Sequence, residues 1–306
     1  MVAGETKDPA VLIVNPNAGR LSERVRDEAI DRLNDRFRLE VFFTTGRNSA
    51  VSLAADAASD GMGLVIAFGG DGHVNEVVNG IAGTGSGLGI VPGGTMNVFA
   101  RALDVPLDPL LAAEALAERA TAPPRVVNLG LMDDRYFTFS AGCGFDAEAA
   151  ELVELRRVHK RMFGQLYFYW SAFKVLAGSR AYRRPRLTLK GEFGEIDVSM
   201  CVACNTGPYA YLFRRPIRLT PRVQLQGGLD VFGLRRMKLE VLPLYVFDAL
   251  AFGDVSKMPG SFVSSDQERF SVSSDTSFKR HVDGEPLEPS SSTSFSLAPE
   301  ALKVFA

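Results

Sequence analysis

The stretch LVIAFGGDGHVNEVVNGIA, residues Leu64–Ala82, decides the fold class of the first half of the chain. It begins with a continuous apolar run, which predicts a short strand buried on both faces. Gly69-Gly70-Asp71-Gly72 then breaks the run, and from Val74 onward apolar residues recur at helical spacing. A strand, a glycine turn and a helix in this order form the repeating unit of an α/β fold.

The same rhythm extends in both directions from this unit. Strands are predicted at Val11–Val14, Leu39–Phe43 and Leu88–Val91, and helices at Val25–Leu33, Ala50–Ser59 and Met96–Leu103. This alternation predicts a parallel sheet covered by helices, in an N-terminal α/β domain of residues 1–125.

Beyond Pro123-Pro124 the pattern changes to short strands separated by turns. One helical stretch, from Asp146 to about Ala177, interrupts them, and Ser290–Ser294 is interpreted as a loop. We therefore expect a mostly antiparallel β domain over residues 126–306. The predicted strands are Tyr136–Ser140, Arg186–Leu189, Val198–Ala203, Leu229–Leu234, Phe270–Ser273, Phe278–Val282 and Ser294–Leu297.

Composition and charge exclude several classes of protein. The 306 residues include 34 Lys and Arg and 36 Asp and Glu, so no global positive field favours nucleic acid as a partner. Three cysteines are too few for a disulfide scaffold. The first ten residues lack a signal-peptide pattern, and no apolar run approaches the roughly 18 residues of a spanning helix. We therefore expect a cytoplasmic protein.

Three turns at the carboxyl ends of the predicted parallel strands are rich in glycine and asparagine: Asn15–Gly19, Gly69–Gly72 and Gly93–Asn97. Ligands bind at this edge of a parallel sheet, and helix N-termini there attract phosphate. No turn contains the lysine of a Walker loop, and Gly-x-Gly-x-x-Gly is absent after the first strand. The turns therefore predict a phosphate site of another kind.

Asp71 is the acidic residue of these turns. A carboxylate repels phosphate unless a cation lies between them or the carboxylate holds a hydroxyl. Asp71 therefore indicates Mg²⁺, a ribose or acceptor hydroxyl, or a helix N-cap.

Four blocks resemble the diacylglycerol kinase catalytic domain family, which includes bacterial soluble lipid kinases and is related to sphingosine and ceramide kinases. Gly69–Gly80 resembles the family signature, and Asn15–Gly19 resembles its first-strand turn. Pro92–Arg101 resembles its Pro-x-Gly-Thr-x-Asn-x-x-Ala-Arg segment, and Val282–Pro286 resembles its Asp-Gly-Glu motif. NAD kinases and phosphofructokinases carry the Gly-Gly-Asp-Gly element too, so the resemblance depends on the four blocks together.

The resemblance implies an N-terminal nucleotide-binding domain with a NAD kinase/phosphofructokinase-like parallel sheet and a C-terminal β-sandwich that binds lipid. The active site would lie in the cleft between these domains, with ATP and Mg²⁺ as cofactors. Carried over by motif, the nucleotide-binding residues are Asn15, Pro16, Asn17, Gly19, Thr44, Gly69, Gly70, Asp71, Gly72, His73, Asn75, Glu76, Gly94, Thr95 and Asn97.

The implied reaction transfers the γ-phosphoryl group of ATP to the hydroxyl of diacylglycerol or a related lipid alcohol, such as a ceramide or sphingoid base. It needs a base within reach of that hydroxyl. The candidate catalytic residues are Asp283, Glu285 and Asp71, and the assignment of the base among them stays open. A plain β-turn at Asp283-Gly284 is the alternative interpretation of that motif.

The chain also departs from the family pattern. His73 replaces the usual Thr, Val98 and Asn128 stand where aspartates are usual, and the segment around Gly227 lacks its leading acids. We therefore expect no structural Mg²⁺ and assign no metal-ligating residues. These losses keep open a catalytically weak or inactive lipid- or nucleotide-binding protein, and a NAD kinase-like enzyme is the other alternative.

The segment Glu151–Lys190 holds ten Lys or Arg and two acids around an aromatic group. Such a mixture suits an anionic membrane surface, although a solvated basic face over an aromatic core explains it equally well. The expected partners are ATP and a lipid at the inner membrane face, with a homodimer left open. The aromatic group is Phe163, Tyr167, Phe168, Tyr169, Trp170 and Phe173.

Overall fold

The structure is a computed structural model that describes residues 7–19, 22–148, 151, 186–212, 215–235 and 253–306. The chain divides into two compact units. The first runs to Val127 and includes Glu300–Ala306, and the second is Asn128–Pro299. The sequence pattern carries no signal for this return of the last residues to the first unit. The functional domains 1–125 and 126–306 stay a prediction.

The first unit is an α/β layer structure, as predicted. Its parallel strands have the order β4-β3-β1-β2, and the last residues of the final strand, β16, lie parallel to β4. The strands are β1 (Asp8–Val14), β2 (Phe37–Phe43), β3 (Leu64–Gly69), β4 (Gly87–Pro92) and the end of β16 (Glu285–Val304). The helices are α1 (Glu23–Arg36), α2 (Ser49–Ser59), α3 (Asp71–Ile81), α4 (Val98–Ala102) and α5 (Pro109–Arg119).

Local sequence explains where the helices begin. The Ser22 hydroxyl accepts the Val25 N–H at the start of α1. Asp108 caps α5, a helix that the sequence pattern did not reveal, with Pro109 at its first position. Helix α4 is shorter than the predicted Met96–Leu103. Asn97 adopts a left-handed conformation with φ of 49°, so the helix begins only after it, at Val98.

The second unit is rich in antiparallel strands, as predicted. Its main sheet has the order β14-β13-β10-β7-β15-β16, β8 pairs with β15 and β9, and β5 pairs with β6. The strands are β5 (Arg125–Met132), β6 (Arg135–Phe137), β7 (Ser140–Gly144), β8 (Leu187–Gly191), β9 (Gly194–Val198), β10 (Met200–Cys204), β11 (Ala210–Leu212), β12 (Arg215–Ile217), β13 (Leu229–Leu234), β14 (Ser261–Gln267) and β15 (Arg269–Val282). The predicted helical stretch after Asp146 falls almost wholly outside the described residues.

The predicted loop at Ser290–Ser294 is wrong, because these residues lie within β16. Ser292 and Ser294 pair with Ser273 and Ser271 of β15. Backbone pairing satisfies the N–H and C=O groups of a strand whatever the side chains are, so a serine-rich segment extends the ladder when its partner strand is present.

The three cysteines are free thiols buried in the core. Cys201 and Cys204 lie on opposite faces of β10, each in a different apolar cluster, and Cys143 lies with Cys201. Burial raises the pKa of the Cys204 thiol to about 12. These thiols are therefore inert side chains of the core.

Candidate functional site

The carboxyl ends of four parallel strands form one edge of the first unit. Backbone hydrogen bonds join the residues that follow these strands to neighbouring strand ends. The bonds run from Asn15 N to Phe68 O (2.9 Å), from Thr44 N to Val14 O (2.9 Å) and from Gly93 N to Gly69 O (2.8 Å). The three glycine-rich turns and Thr44 are therefore neighbours along a single edge.

The second and third glycine turns touch each other. A Cβ atom built on Gly94 would lie 2.6 Å from the Gly70 Cα, and one built on Gly70 would lie 3.1 Å from the Gly94 Cα. Only glycine allows two backbones to approach this closely. Helix α3 starts directly after one turn and α4 follows the other.

Asn97 shapes the third turn with its side chain. Its Oδ1 accepts the Gly94 N–H at 3.0 Å, and its Nδ2 donates to the Gly94 carbonyl at 3.0 Å. Thr95, inside this closed turn, is exposed. The turn thus presents Thr95 outward on a backbone whose geometry Asn97 fixes.

Asp71 is the first residue of α3, after Gly70 as N-cap. Its Oδ1 accepts the Phe99 N–H of the first turn of α4 at 3.4 Å. The carboxylate therefore lies beside the N-termini of two helices, where their dipoles stabilise negative charge. Asp71 therefore caps a helix, which is one of the interpretations of the sequence, but the helix is α4 and not α3.

His73 and Glu76 bind backbone of the same unit. The His73 Nε2 lies 2.9 Å from the Ile13 carbonyl, which identifies Nε2 as the donor. Glu76 accepts the Asn48 N–H at 2.9 Å and the Ala50 N–H at 3.2 Å. Asn48 itself makes no side-chain cap, so Glu76 caps α2 from α3.

The remaining nucleotide candidates differ in exposure. Pro16, Asn17 and Gly19 are exposed, and the Asn15 Oδ1 accepts the Asn17 N–H at 3.0 Å. Asn75 is fully buried, and its carbonyl and Oδ1 accept from the Asn79 amide. The exposed turn can meet a ligand directly, whereas the Asn75 side chain lies in the interior.

Asp283 and Gly284 form the two-residue turn between β15 and β16. Their φ angles are 47° and 79°, and Val282 pairs with Glu285 across the turn. Two positive φ values are the pattern of a type I′ hairpin, which Asp-Gly favours. The β-turn expected from the dipeptide is present together with a carboxylate network.

The Asp283 carboxylate is buried and accepts four hydrogen bonds. The donors are the backbone N–H groups of Thr138, Phe139 and Ser140 and the Thr138 hydroxyl, at 2.7–3.0 Å. Burial raises the pKa of Asp283, while these hydrogen bonds oppose that shift. Both oxygens therefore anchor the turn to residues 138–140, at the start of β7.

Glu285 is the accessible carboxylate of the motif. Its side chain is 28% exposed, and its Oε2 lies 3.6 Å from an Arg135 guanidinium nitrogen. The carboxylate is therefore partly exposed beside a cationic side chain, whereas the Asp283 carboxylate is buried.

A buried polar chain that the sequence did not signal lies behind this turn. The Tyr209 hydroxyl donates to Asp146 Oδ1 at 2.5 Å, and Asp146 Oδ2 lies 2.6 Å from His281 Nε2. The Gly284 N–H then donates to His281 Nδ1 at 3.2 Å. These residues are far apart in sequence, so no local pattern could have grouped them.

Two of the departures from the family pattern contact each other. The Asn128 Nδ2 donates to the Gly227 carbonyl at 3.1 Å. The asparagine amide can donate to this carbonyl, whereas an aspartate carboxylate would place a negative oxygen beside the carbonyl oxygen and repel it. Among the residues that the structure describes, no group of three or more His, Cys, Asp or Glu side chains could hold a metal ion.

In the described part of the chain, no helix has the length and apolar character needed to span a membrane. The basic and aromatic residues expected at a membrane surface lie almost wholly outside the described residues, with Arg186 and Lys190 at the end of that stretch described.

The first unit is an α/β layer structure with three glycine-rich turns at one sheet edge, and the second unit is rich in strands. Crystal structures share this fold: a diacylglycerol kinase from Bacillus anthracis str. Sterne has a TM-score of 0.76 at 22% identity, covering 97% of this chain and 96% of that one. Another structure from the same strain has a TM-score of 0.78 at 20% identity, covering 99% and 97%.

Residues 9–129 match the family model of the diacylglycerol kinase catalytic domain. Diacylglycerol kinase of Bacillus subtilis (strain 168) is 33% identical over 175 residues, which is 56% of each chain. A YegS-like lipid kinase of Chromohalobacter salexigens is 40% identical over 142 residues, 45% of this chain and 44% of the relative. The chain thus spans about half the length of the relatives it matches.

Proposed function

We propose that this protein is a lipid kinase that transfers the γ-phosphoryl group of ATP to the hydroxyl of a membrane lipid, diacylglycerol or a related alcohol. The observation that carries the proposal is the contact of Gly70 with Gly94, which brings two glycine turns and the starts of α3 and α4 together. Backbone N–H groups and helix dipoles at the starts of helices suit the phosphates of a nucleotide.

The nucleotide would lie along the strand ends of the first unit. Backbone N–H groups of the three glycine turns would bind its phosphates, with the exposed Thr95 hydroxyl beside them. Thr44, whose N–H binds the Val14 carbonyl, belongs to the same edge. His73, Asn75 and Glu76 would act indirectly, because their described contacts are to the protein itself.

Mg²⁺ would arrive with ATP and neutralise phosphate charge. Magnesium in such sites is held by one or two carboxylates together with the phosphates, and the Asp71 carboxylate beside two helix starts fits that requirement. Asp71 would hold the metal-bound nucleotide in register with the glycine turns.

Glu285 would act as the base. Its carboxylate would take the proton of the lipid hydroxyl while that oxygen attacks the γ-phosphorus and the bond to the β–γ bridging oxygen breaks, releasing ADP. The four hydrogen bonds that Asp283 accepts support a role for its carboxylate in holding the turn, and we therefore favour Glu285 as the base.

The test measures phosphoryl transfer with γ-labelled ATP, Mg²⁺ and vesicles that contain diacylglycerol in anionic phospholipid. We expect label in the organic phase with the wild-type protein, and a loss of at least roughly 100-fold with Glu285→Gln, since general base catalysis contributes about 10²–10⁴-fold. Glu288→Gln is the matched control, because Glu288 is exposed on the same strand and loses the same charge.

Equal loss in both variants would contradict Glu285 as the base. Absence of organic-phase label with the wild-type protein, while ATP still binds, would contradict the lipid kinase and support a nucleotide-binding protein of this fold.

A further inference from the structure

A series of hydrogen bonds connects Tyr209 to Gly284, next to the proposed base, Glu285. It consists of a hydroxyl, a carboxylate, an imidazole and a backbone N–H, joined by contacts of 2.5, 2.6 and 3.2 Å. His281 and Asp146 are both buried. Buried polar chains of this kind rigidify the backbone they bind when every member has a partner.

Gly142 leaves space for these hydrogen-bonded side chains because it has no side chain of its own. A Cβ atom there would lie 2.3 Å from Asp146 Oδ2 and 2.4 Å from His281 Nε2. Gly142 also pairs with His281 across β7 and β15. The Asp146–His281 pair therefore occupies the space that a side chain at position 142 would fill.

The contacts determine which nitrogen of His281 carries the proton. Because Nδ1 accepts the Gly284 N–H, it carries no hydrogen, and Nε2 must donate to Asp146. Asp146, which also accepts from Tyr209, thus holds the imidazole in the tautomer that can bind the turn.

The turn is fixed from two sides. The Asp283 carboxylate accepts hydrogen bonds from residues 138–140, and the Gly284 N–H donates to His281. Glu285 follows directly and starts β16, so the direction of its carboxylate depends on the backbone of these two residues. The Asp283 contacts hold the first position of the turn, and His281 holds the second.

We propose that His281 is a positioning residue that sets the direction of Glu285 through the Gly284 N–H, an inference that rests on the proposed base role of Glu285. Asp146 orients His281, and Tyr209 completes the hydrogen bonds of Asp146.

Two substitutions separate the contacts of His281. Gln places its amide nitrogen near the position of Nε2, so His281→Gln keeps the donor to Asp146 and loses the acceptor for Gly284. Asn places its amide oxygen near Nδ1, so His281→Asn keeps the acceptor and loses the donor. Unfolding in urea checks that both variants fold.

The readouts are hydrogen exchange of the Gly284 amide and steady-state kinetics with diacylglycerol vesicles. We expect His281→Gln to expose the Gly284 amide to exchange and lower kcat by roughly 10- to 100-fold, the scale of a misplaced reacting group, with KM for ATP unchanged. His281→Asn should retain more of the amide protection and more of the turnover.

A protected Gly284 amide or an unchanged kcat in His281→Gln would overturn the inference, as would nitrogen chemical shifts of the wild-type imidazole that place a proton on Nδ1. A wild-type protein that transfers no phosphate to lipid refutes the proposed function instead, whereas an active wild type with an unaffected His281→Gln refutes the positioning role alone.

Discussion

At the scale of residues, His73, Glu76 and Asp283 each satisfy backbone groups that the interior would otherwise leave unpaired. His73 binds the end of β1, Glu76 binds the start of α2, and Asp283 binds the chain before β7. A buried N–H or C=O group without a partner is costly, so these side chains stabilise the turns next to the candidate site.

The pH dependence of stability tests the environment of His73. Burial lowers the pKa of His73 from 6.5, while the bond to Ile13 and the charge of Glu76 oppose the shift. Below pH 6.5 the unfolded chain therefore takes up a proton that the folded chain does not, and the free energy of unfolding falls as the pH falls.

We expect His73→Gln, whose amide nitrogen can still donate to Ile13, to weaken this dependence. Urea unfolding of the wild-type protein and the variant, above and below pH 6.5, measures it. Identical pH slopes in the two proteins would show that His73 is not the group responsible.

Glu76 gives a second test at this scale. Glu76→Ala should lower the free energy of unfolding by about 1–3 kcal/mol, because it leaves the Asn48 and Ala50 N–H groups without their acceptor. Glu118→Ala, an exposed glutamate on α5, should change it by less than about 0.5 kcal/mol. Chemical denaturation compares them, and equal effects would refute the capping role.

At the scale of elements, strand order places the glycine turns together. The order β4-β3-β1-β2 sets β3 and β4 side by side, and the turns that follow these two strands are the ones in contact. The hydrogen bond from Gly93 N to Gly69 O extends the ladder into the turns. The candidate phosphate site is thus a property of two adjacent strand–turn–helix units.

Gly94→Ala tests this arrangement, because its Cβ would lie 2.6 Å from the Gly70 Cα and 2.7 Å from the Asn97 Oδ1. Overpacking of this kind costs typically about 1–3 kcal/mol, so we expect ATP affinity to fall roughly tenfold. Gly85→Ala is the control, since a Cβ there meets open space. Calorimetric titration with ATP gives both values, and unchanged affinity in Gly94→Ala would exclude the contact from the nucleotide site.

At the scale of the whole molecule, the chain returns to its first unit at the end. Lys303 and Val304 pair in parallel with β4, and Phe305 packs beside Gly87. Leu302 and Val304 are buried. The first unit therefore includes residues 300–306, although most of its strands come from the first hundred residues.

Leu302→Ala should accordingly destabilise the protein by about 2–5 kcal/mol, the range for deleting a buried leucine side chain. Lys303→Ala, at the neighbouring exposed position, should shift stability by less than about 0.5 kcal/mol. Thermal and urea unfolding of both variants give these differences. A small effect at Leu302 would mean that the last strand contributes little to the first unit.

Local sequence determined four strands and four helices of the first unit and the place of its glycine turns, but it did not reveal α5 or the return of β16. The apolar runs before Asn15, Gly69 and Pro92 specify buried strands, and the residues that end them specify turns, because both depend on neighbours within a few positions. The Asp-Gly dipeptide likewise determined the hairpin at Asp283 and Gly284.

Only the tertiary structure decided how each side chain of the motifs is used. Glu76 meets the start of α2, Asp283 meets Thr138–Ser140, and His281 meets Asp146 across long stretches of chain. The Ser290–Ser294 segment is part of β16 because β15 lies beside it as a partner strand. Such contacts depend on where elements that are distant in sequence come together. A sequence pattern reports only the preferences of neighbouring residues, so it does not predict these contacts.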